Sequence, residues 1–307
     1  MNNLHKPVLL NEVIDLLKLH SGDKVVDCTL GHGGHALSML ERIGPTGRLI
    51  GIDLDKDALA VAKKRLVKYT KQINLVEGTY RDITQIVSET KVNRILIDLG
   101  FSSAQIDDPE RGFSWRFDSP LDMRFGHDGG KTAYDLVNSL GAEELSDIFR
   151  TYGEEPKAWP IAKEIVETRK FGPIKTTIEL AEIVESVKHQ KRGDKIHPAT
   201  LVFQALRIAV NDEWGAIQEF LPQAVSLLEK GGRLAVITFH SGEDRLVKQY
   251  FQKEAKDCIC PPELPVCRCG HKATITLITK KPVEPSEDEV KDNPRARSAK
   301  LRVVQKL

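Results

Sequence analysis

The first hundred residues alternate short apolar runs with longer amphipathic ones. Lys24-Val-Val-Asp-Cys28 reads as a strand and Gly31 to Gly34 as a glycine-rich turn. Ala36 to Ile43 reads as a helix closed by the breakers Gly44, Pro45 and Gly47, and Arg48 to Asp53 as a second strand. From Lys56 to Tyr69, the residues Leu59, Ala62, Leu66 and Tyr69 recur at the spacing of one buried helix face. Ile73 to Val76 predicts a third strand, Ile83 to Val87 part of a helix, and Arg94 to Asp98 a fourth strand. Such alternation, with strands apolar throughout, predicts a parallel sheet covered on both faces.

After Asp98 the rhythm changes. From about Asp108 to Asn211 there is almost no strand-like run. Breakers such as Pro109, Pro120, Gly153, Pro160 and Pro198 separate short amphipathic helices, clearest at Ala142 to Tyr152, Ala158 to Arg169 and Thr177 to Lys188. The first pattern then resumes with a helix from about Trp214 to Leu228, capped by Gly231, and a fifth strand from Arg233 to Phe239. A helix from Glu243 to Lys253 and β-like stretches at Ala273 to Thr279 and Leu301 to Val304 follow. The prediction is one open α/β domain in two parts, residues 1–107 and 212–307. A helical insertion, residues 108–211, separates them and has the size of a small domain.

Composition narrows the function classes. Of 307 residues, 29% are charged and 40% are hydrophobic, which excludes a disordered chain. No run approaches the ~18 apolar residues of a spanning helix. The start, Met1 to Pro7, has no basic segment followed by an apolar stretch, so a cytoplasmic location is expected. Lys and Arg number 45 against 44 Asp and Glu, so any attraction for nucleic acid has to be local.

The turn Asp27-Cys-Thr-Leu-Gly-His-Gly-Gly-His35 lets a ligand approach the backbone closely, because glycine has no Cβ. Asp53 closes the second strand 22 residues after Gly31, where a carboxylate can hold both hydroxyls of a ribose. Gly31-x-Gly33-x-x-Ala36 also fits a loose dinucleotide fingerprint. Charge separates the two readings. A dinucleotide sets a pyrophosphate on such a turn, whereas S-adenosylmethionine carries a sulfonium and an ammonium and no phosphate. Carboxylates at Asp27 and Asp98 suit the cation and repel the pyrophosphate.

Asp98-Leu-Gly-Phe101 sits at a strand's carboxyl end, where open α/β sheets place reactive groups. In part it resembles the Asp-Pro-Pro-Tyr tetrapeptide of enzymes that methylate exocyclic amines of bases. Such an amine is a poor nucleophile because its lone pair is delocalised into the ring. Acceptors for its N–H groups, Asp98 and a nearby carbonyl, localise that pair, and transfer then needs mostly positioning. Phe101 could stack on the base or simply pack. A carbon-5 route would need a nucleophilic cysteine, and Cys28 in the first strand reads as a core residue.

Longer strings carry a family resemblance. Gly31-His-Gly-Gly-His35, Asp98 to Gln105, Arg111 to Asp118, Pro120 to Arg124, His197 to Thr200, Phe203 to Arg207, Ile237 to Ser241 and Asn293 to Arg302 resemble the RsmH (MraW) methyltransferases. The match runs from Lys6-Pro7 to the C-terminus. The resemblance implies a Rossmann-like methyltransferase sheet with an inserted all-helical substrate domain. It implies S-adenosylmethionine as donor and the N4 amine of cytosine 1402 in bacterial 16S rRNA as acceptor, within the small ribosomal subunit. It places donor contacts on Gly33, Gly34, His35, Asp53, Tyr80, Asp98 and Gln105, with Asp98 catalytic. A homodimer is left open. The chain departs from the family at Leu201, where arginine is frequent, at Phe101, where an aliphatic is common, and at Gly242, where leucine is usual.

Lys291 to Leu307 holds six basic residues and one acid, and Arg295, Arg297 and Lys300 are the phosphate-binding candidates. Arg111, Arg116 and Arg124 alternate with Phe113, Trp115, Phe117 and Phe125, which suits either an unstacked base or a core-packed lid. The basic cluster Lys188 to His197 fits RNA or a solvated helix end. Cys258-x-Cys260 and Cys267-x-Cys269 have the donors for Zn²⁺, with His271 to spare. Their C-x-C spacing is tighter than the usual C-x₂₋₄-C, so the expectation is reduced thiols and no metal. Two rival functions stay open, a nicotinamide-dependent oxidoreductase and a non-catalytic ribosome-assembly factor.

Overall fold

Val25 of the first strand and its neighbour Val26 face two different cores. Val25 joins Leu40, Leu96 and Leu301 on one side, whereas Val26 joins Ile95, Ile97 and Phe220 on the other. Successive strand side chains point to opposite faces, so a strand buried on both sides has to be apolar throughout. The computed structural model describes residues 6–88, 91–100, 110–126, 129–189, 196–261, 264 and 266–307. Phe101, Gln105 and residues 190–195 of the basic cluster lie outside the described residues.

The sheet contains β1 (Lys24–Asp27), β2 (Arg48–Asp53), β3 (Ile73–Glu77), β4 (Val92–Asp98), β5 (Leu228–Thr238), β6 (Ile275–Leu277) and β7 (Lys300–Lys306). Their order is β3-β2-β1-β4-β5-β7-β6. The five strands from β3 to β5 pair in parallel, and β7 runs antiparallel to both β5 and β6. The chain builds outward from β1 through β2 to β3, then returns to lay β4 on the other side of β1. That reversal is a topological switch point, and ligands of open α/β sheets bind beyond the strand carboxyl ends there.

Helices α1 (Leu10–Leu17), α2 (Gly34–Ile43) and α3 (Lys56–Arg65) cover one face, and α4 (Ile83–Val87) packs on the other. Then come the inserted helices α5 (Ala133–Ser139), α6 (Ala142–Gly153), α7 (Ala158–Thr168), α8 (Thr177–Val187) and α9 (Thr200–Asn211). The chain resumes with α10 (Glu213–Leu227), α11 (Ser241–Glu254) and the short α12 (Glu287–Asp292). Two compact units result, Met1–Gly100 with Trp214–Leu307, and Phe101–Glu213. The second has its own core, in which Phe149, Ile161, Leu180, Val202 and Leu206 are buried. There α6 ends in glycine because a Cβ on Gly153 would collide with the carbonyl oxygen of Leu201 on α9.

Several elements differ from expectation. The helix predicted to reach Tyr69 ends at Arg65, and Val67–Tyr69 forms a separate 3-10 turn. Gly231 is not a helix cap. The helix stops at Leu227, and Gly231, at φ 80°, lies within β5. Val92 pairs with Leu228 but Arg94 with Arg233, so residues 229–232 bulge opposite Asn93. Helices α1 and α9 were not anticipated. Gly242 also finds its reason, because a Cβ there would collide with the indole of Trp214.

Arg302, in the basic C-terminal stretch, is buried and donates Nε and Nη2 to Asp244 at 2.6 and 3.0 Å. Removing the acid strands a buried guanidinium, which costs about 3–5 kcal/mol. Asp244→Ala is therefore expected to lower unfolding stability by about that much. Asp288→Ala, which breaks the exposed pair with Lys291, should cost less than about 1 kcal/mol. Urea titrations compare them, and equal midpoints would contradict the assignment.

Candidate active site

The strand ends at the switch point are acidic. Asp53, Asp27 and Asp98 close β2, β1 and β4, which lie side by side in the sheet. Between β1 and α2 the chain turns with Gly31 and Gly33 at φ 51° and 74°, left-handed values that disfavour side chains. The Gly31 N–H donates to Asp53 Oδ2 at 2.7 Å, which ties the turn to β2. Asp53 Oδ1 accepts the Asp55 N–H at 2.9 Å. Gly34 opens α2 against the ring of Pro7, 3.1 Å from where a Cβ would stand.

Thr29 in the same turn accepts the Asp98 N–H on its hydroxyl at 2.7 Å and so fixes the end of β4. Buried His35, on the first turn of α2, sets its Nε2 3.9 Å from Asp98 Oδ2. Glu243 at the start of α11 is also buried, and its Oε2 accepts the N–H groups of Phe239 and His240 at 2.8 and 3.3 Å. His240 is the N-cap of α11, its Nδ1 accepting the Glu243 N–H at 3.3 Å and its Nε2 lying 3.1 Å from Glu243 Oε1. Tyr80 opens a 3-10 turn after β3 and meets Phe220 edge-on at 5.5 Å. The sequence singled out neither Glu243 nor Thr29. Glu243 was legible only as the fourth residue of a capping box.

Electrostatics set this cluster apart. Burial pushes the Asp27 carboxyl up to about 7, opposed by the Thr29 N–H and reinforced by the charge of Asp53. Asp98 is pushed well above the usual carboxylate range by burial, with Asp27 and Glu243 adding to the effect. Burial also raises Asp53, against the N–H donors of Asp55 and Gly31. Asp27 Oδ2 and Asp98 Oδ1 are buried with no hydrogen-bond partner among the described residues. Buried acceptors without partners are costly, and a cation or N–H donor entering here relieves them. A pyrophosphate would meet the opposite. Burial and the charge of Asp27 hold the Cys28 thiol far above its ordinary value, which removes it as a nucleophile.

The RNA candidates divide. Arg111 donates Nη2 to the carbonyls of Arg124 and Phe125 at 3.1 and 2.7 Å, and Arg124 is paired with Asp122 at 2.7 Å. Both brace their own loop, as the packed-lid alternative has it. Arg116 is exposed and lies over Trp115, whose ring stacks on His197 at 3.6 Å. Arg295 and Arg297 are exposed on the turn before β7, and Lys300 opens that strand 3.9 Å from Asp244.

A doubly wound sheet with carboxylates at its switch point defines a Rossmann-like transferase that holds a cationic donor. The chain belongs to the MraW methylase family, whose model matches residues 2–307, and its methyl donor is S-adenosylmethionine. It is 47% identical to a "Ribosomal RNA small subunit methyltransferase H" from Thermomicrobium roseum, over 100% of this chain and 95% of that one. A protein of the same name from Solidesulfovibrio magneticus is 49% identical, over 99% of this chain and 96% of its own. A solved rRNA methylase from Streptococcus thermophilus aligns over 99% of each chain at TM-score 0.44 and 11% identity, too slight a likeness to bear on function.

A cation prefers the ionised form of Asp27, so below about pH 7 binding has to expel a proton. Calorimetric affinity for S-adenosylmethionine is expected to fall up to about tenfold per pH unit below that value. Asp27→Asn should bind more weakly, with a flatter profile. A wild-type affinity constant from pH 5 to 8 would contradict this.

Proposed function

We propose that the protein transfers a methyl group from S-adenosylmethionine to the N4 amine of cytosine 1402 in bacterial 16S rRNA. The observation that carries the reading is the pair of partnerless buried carboxylate oxygens, Asp27 Oδ2 and Asp98 Oδ1, at the switch point. The relatives' names support small-subunit rRNA as the substrate, and the chain spans nearly their full length.

On this reading Gly33, Gly34, His35, Asp53, Tyr80 and Gln105 hold the donor, with Asp53 on the ribose hydroxyls. The donor supplies a methyl carbon made electrophilic by its sulfonium. Asp98 accepts one N–H of the cytosine amine and localises its lone pair toward that carbon. As the nitrogen–carbon bond forms, the carbon–sulfur pair returns to sulfur and the amine loses a proton. A carboxylate whose affinity for protons is raised by burial is suited to take that proton. Positioning supplies most of the remaining rate enhancement.

The amine has to leave its stack to reach Asp98, so the substrate is a single-stranded or opened segment. Arg116 on Trp115 offers an aromatic and cationic platform for an unstacked base. Arg295, Arg297 and Lys300 serve phosphates, while Arg111 and Arg124 shape the loop that carries Arg116. Among the described residues no helix is long and apolar enough to cross a membrane, which is compatible with a cytoplasmic ribosomal substrate.

Asp98→Ala is expected to lower transfer of tritiated methyl to small-subunit RNA by at least about 10²-fold, the scale of a lost acid–base group, with RNA affinity largely kept. Mass mapping of RNA from a deletion strain complemented with wild type should place the new methyl on N4 of cytosine 1402. Full complementation by Asp98→Ala would favour a non-catalytic assembly factor instead.

A further inference from the structure

Between α11 and β6, residues 255–274 contain no helix or strand among those described. Ala255 packs at the edge of the core under α11, but Ile259, Leu264 and Val266 are exposed. A segment of that length that buries so little apolar surface needs another source of order. Yet Cys258, Cys260, Cys267 and Cys269 converge, their four Sγ atoms lying within 4.8 Å of one another. Cys258 to Cys267 is 3.4 Å, Cys267 to Cys269 is 3.6 Å and Cys269 to Cys258 is 3.8 Å. All four are free thiols.

These separations match one particular chemistry. A disulfide needs sulfurs at about 2.0 Å, so none of these pairs is one. Four thiolates at ~2.3 Å from a central ion in a tetrahedron stand about 3.8 Å apart, close to the three separations among Cys258, Cys267 and Cys269. Backbone N–H groups are already turned toward the sulfurs. Ile259 donates to Cys269 Sγ at 3.4 Å, Cys260 to Cys258 Sγ at 3.4 Å and Arg268 to Cys260 Sγ at 3.3 Å. Such donors stabilise thiolate charge and orient the ligands. The base of the loop is tied back to α11 by the Thr274 N–H on the Glu254 carbonyl at 2.9 Å and by His271 Nε2, 3.1 Å from the Lys253 carbonyl oxygen. His271 is thereby occupied, which leaves four sulfurs.

We propose that Cys258, Cys260, Cys267 and Cys269 form a structural Zn²⁺ site that orders the loop between α11 and β6. Four soft thiolates with no place for water make a closed, non-catalytic centre. As the ion binds, four sulfur–zinc bonds form and the four thiols release their protons to solvent. The C-x-C spacing, which argued against a metal in the sequence, is accommodated because the two pairs approach from opposite limbs of one loop. The strand-end carboxylates of β1, β2 and β4 take no part, so methyl-donor binding does not depend on the ion.

The full chain, purified without chelators, should contain one zinc per molecule by elemental analysis. Chelation should open the segment 255–274 to proteolysis, and added Zn²⁺ should restore protection. Cobalt reconstitution of the metal-free chain should give the thiolate charge-transfer and intense d–d bands of tetrahedral Co²⁺. The double variant Cys258→Ser with Cys267→Ser should lose the zinc and keep S-adenosylmethionine binding. The proposal is overturned by one iron in place of zinc, or by a purified chain that takes up neither Zn²⁺ nor Co²⁺ while its thiols react freely. Loss of donor binding in step with zinc would overturn the claim of independence.

Discussion

Three carboxylates stand at the ends of adjacent parallel strands, and the charge of Asp53 raises the proton affinity of Asp27 as that of Asp27 raises Asp98. Parallel pairing of β2, β1 and β4 brings Asp53, Asp27 and Asp98 to one end of the sheet, where the topology reverses. Asp53 is partly satisfied by backbone donors, whereas Asp27 and Asp98 each keep a buried oxygen without a partner among the described residues. A cation is the natural complement. The methyl donor and the glycine turn both follow from that requirement.

The turn between β1 and α2 makes the cluster rigid. Through Gly31 it binds β2 and through Thr29 it binds β4, so one short segment fixes two of the three acids. Substituting either left-handed glycine would strain that segment, and the carboxylates would lose their register before the core lost its packing. Preorganisation of this kind lets the site act through placement, which is most of what methyl transfer requires.

Much of this was legible in the sequence. Apolar runs ending in aspartate, a glycine turn and a second acid 22 residues on gave the strands and the sign of the ligand, whereas the switch point needed the strand order. Hidden features depended on tertiary contact. Helix α9 has no exposed residue, because Gln204, Arg207 and Asn211 on its polar side are half-buried and bonded to neighbouring segments. The bulge at residues 229–232 looks like a helix cap because glycine serves both. Arg302 reads as one more surface charge until Asp244 is seen beside it. Arg111 and Arg124 had the composition of an RNA contact and the geometry of a brace. Spacing alone could not reveal that four cysteine sulfurs converge on one point.

Infrared difference spectroscopy of donor binding reads the central claim directly, because a protonated carboxyl has a carbonyl stretch that its anion lacks. Near neutral pH, addition of S-adenosylmethionine should remove protonated-carboxyl absorption and add carboxylate bands. That change should shrink in Asp27→Asn and in Asp98→Asn. A spectrum in which the carboxyl bands do not move on binding would show that no cation is taken up by buried acids, and would contradict the account.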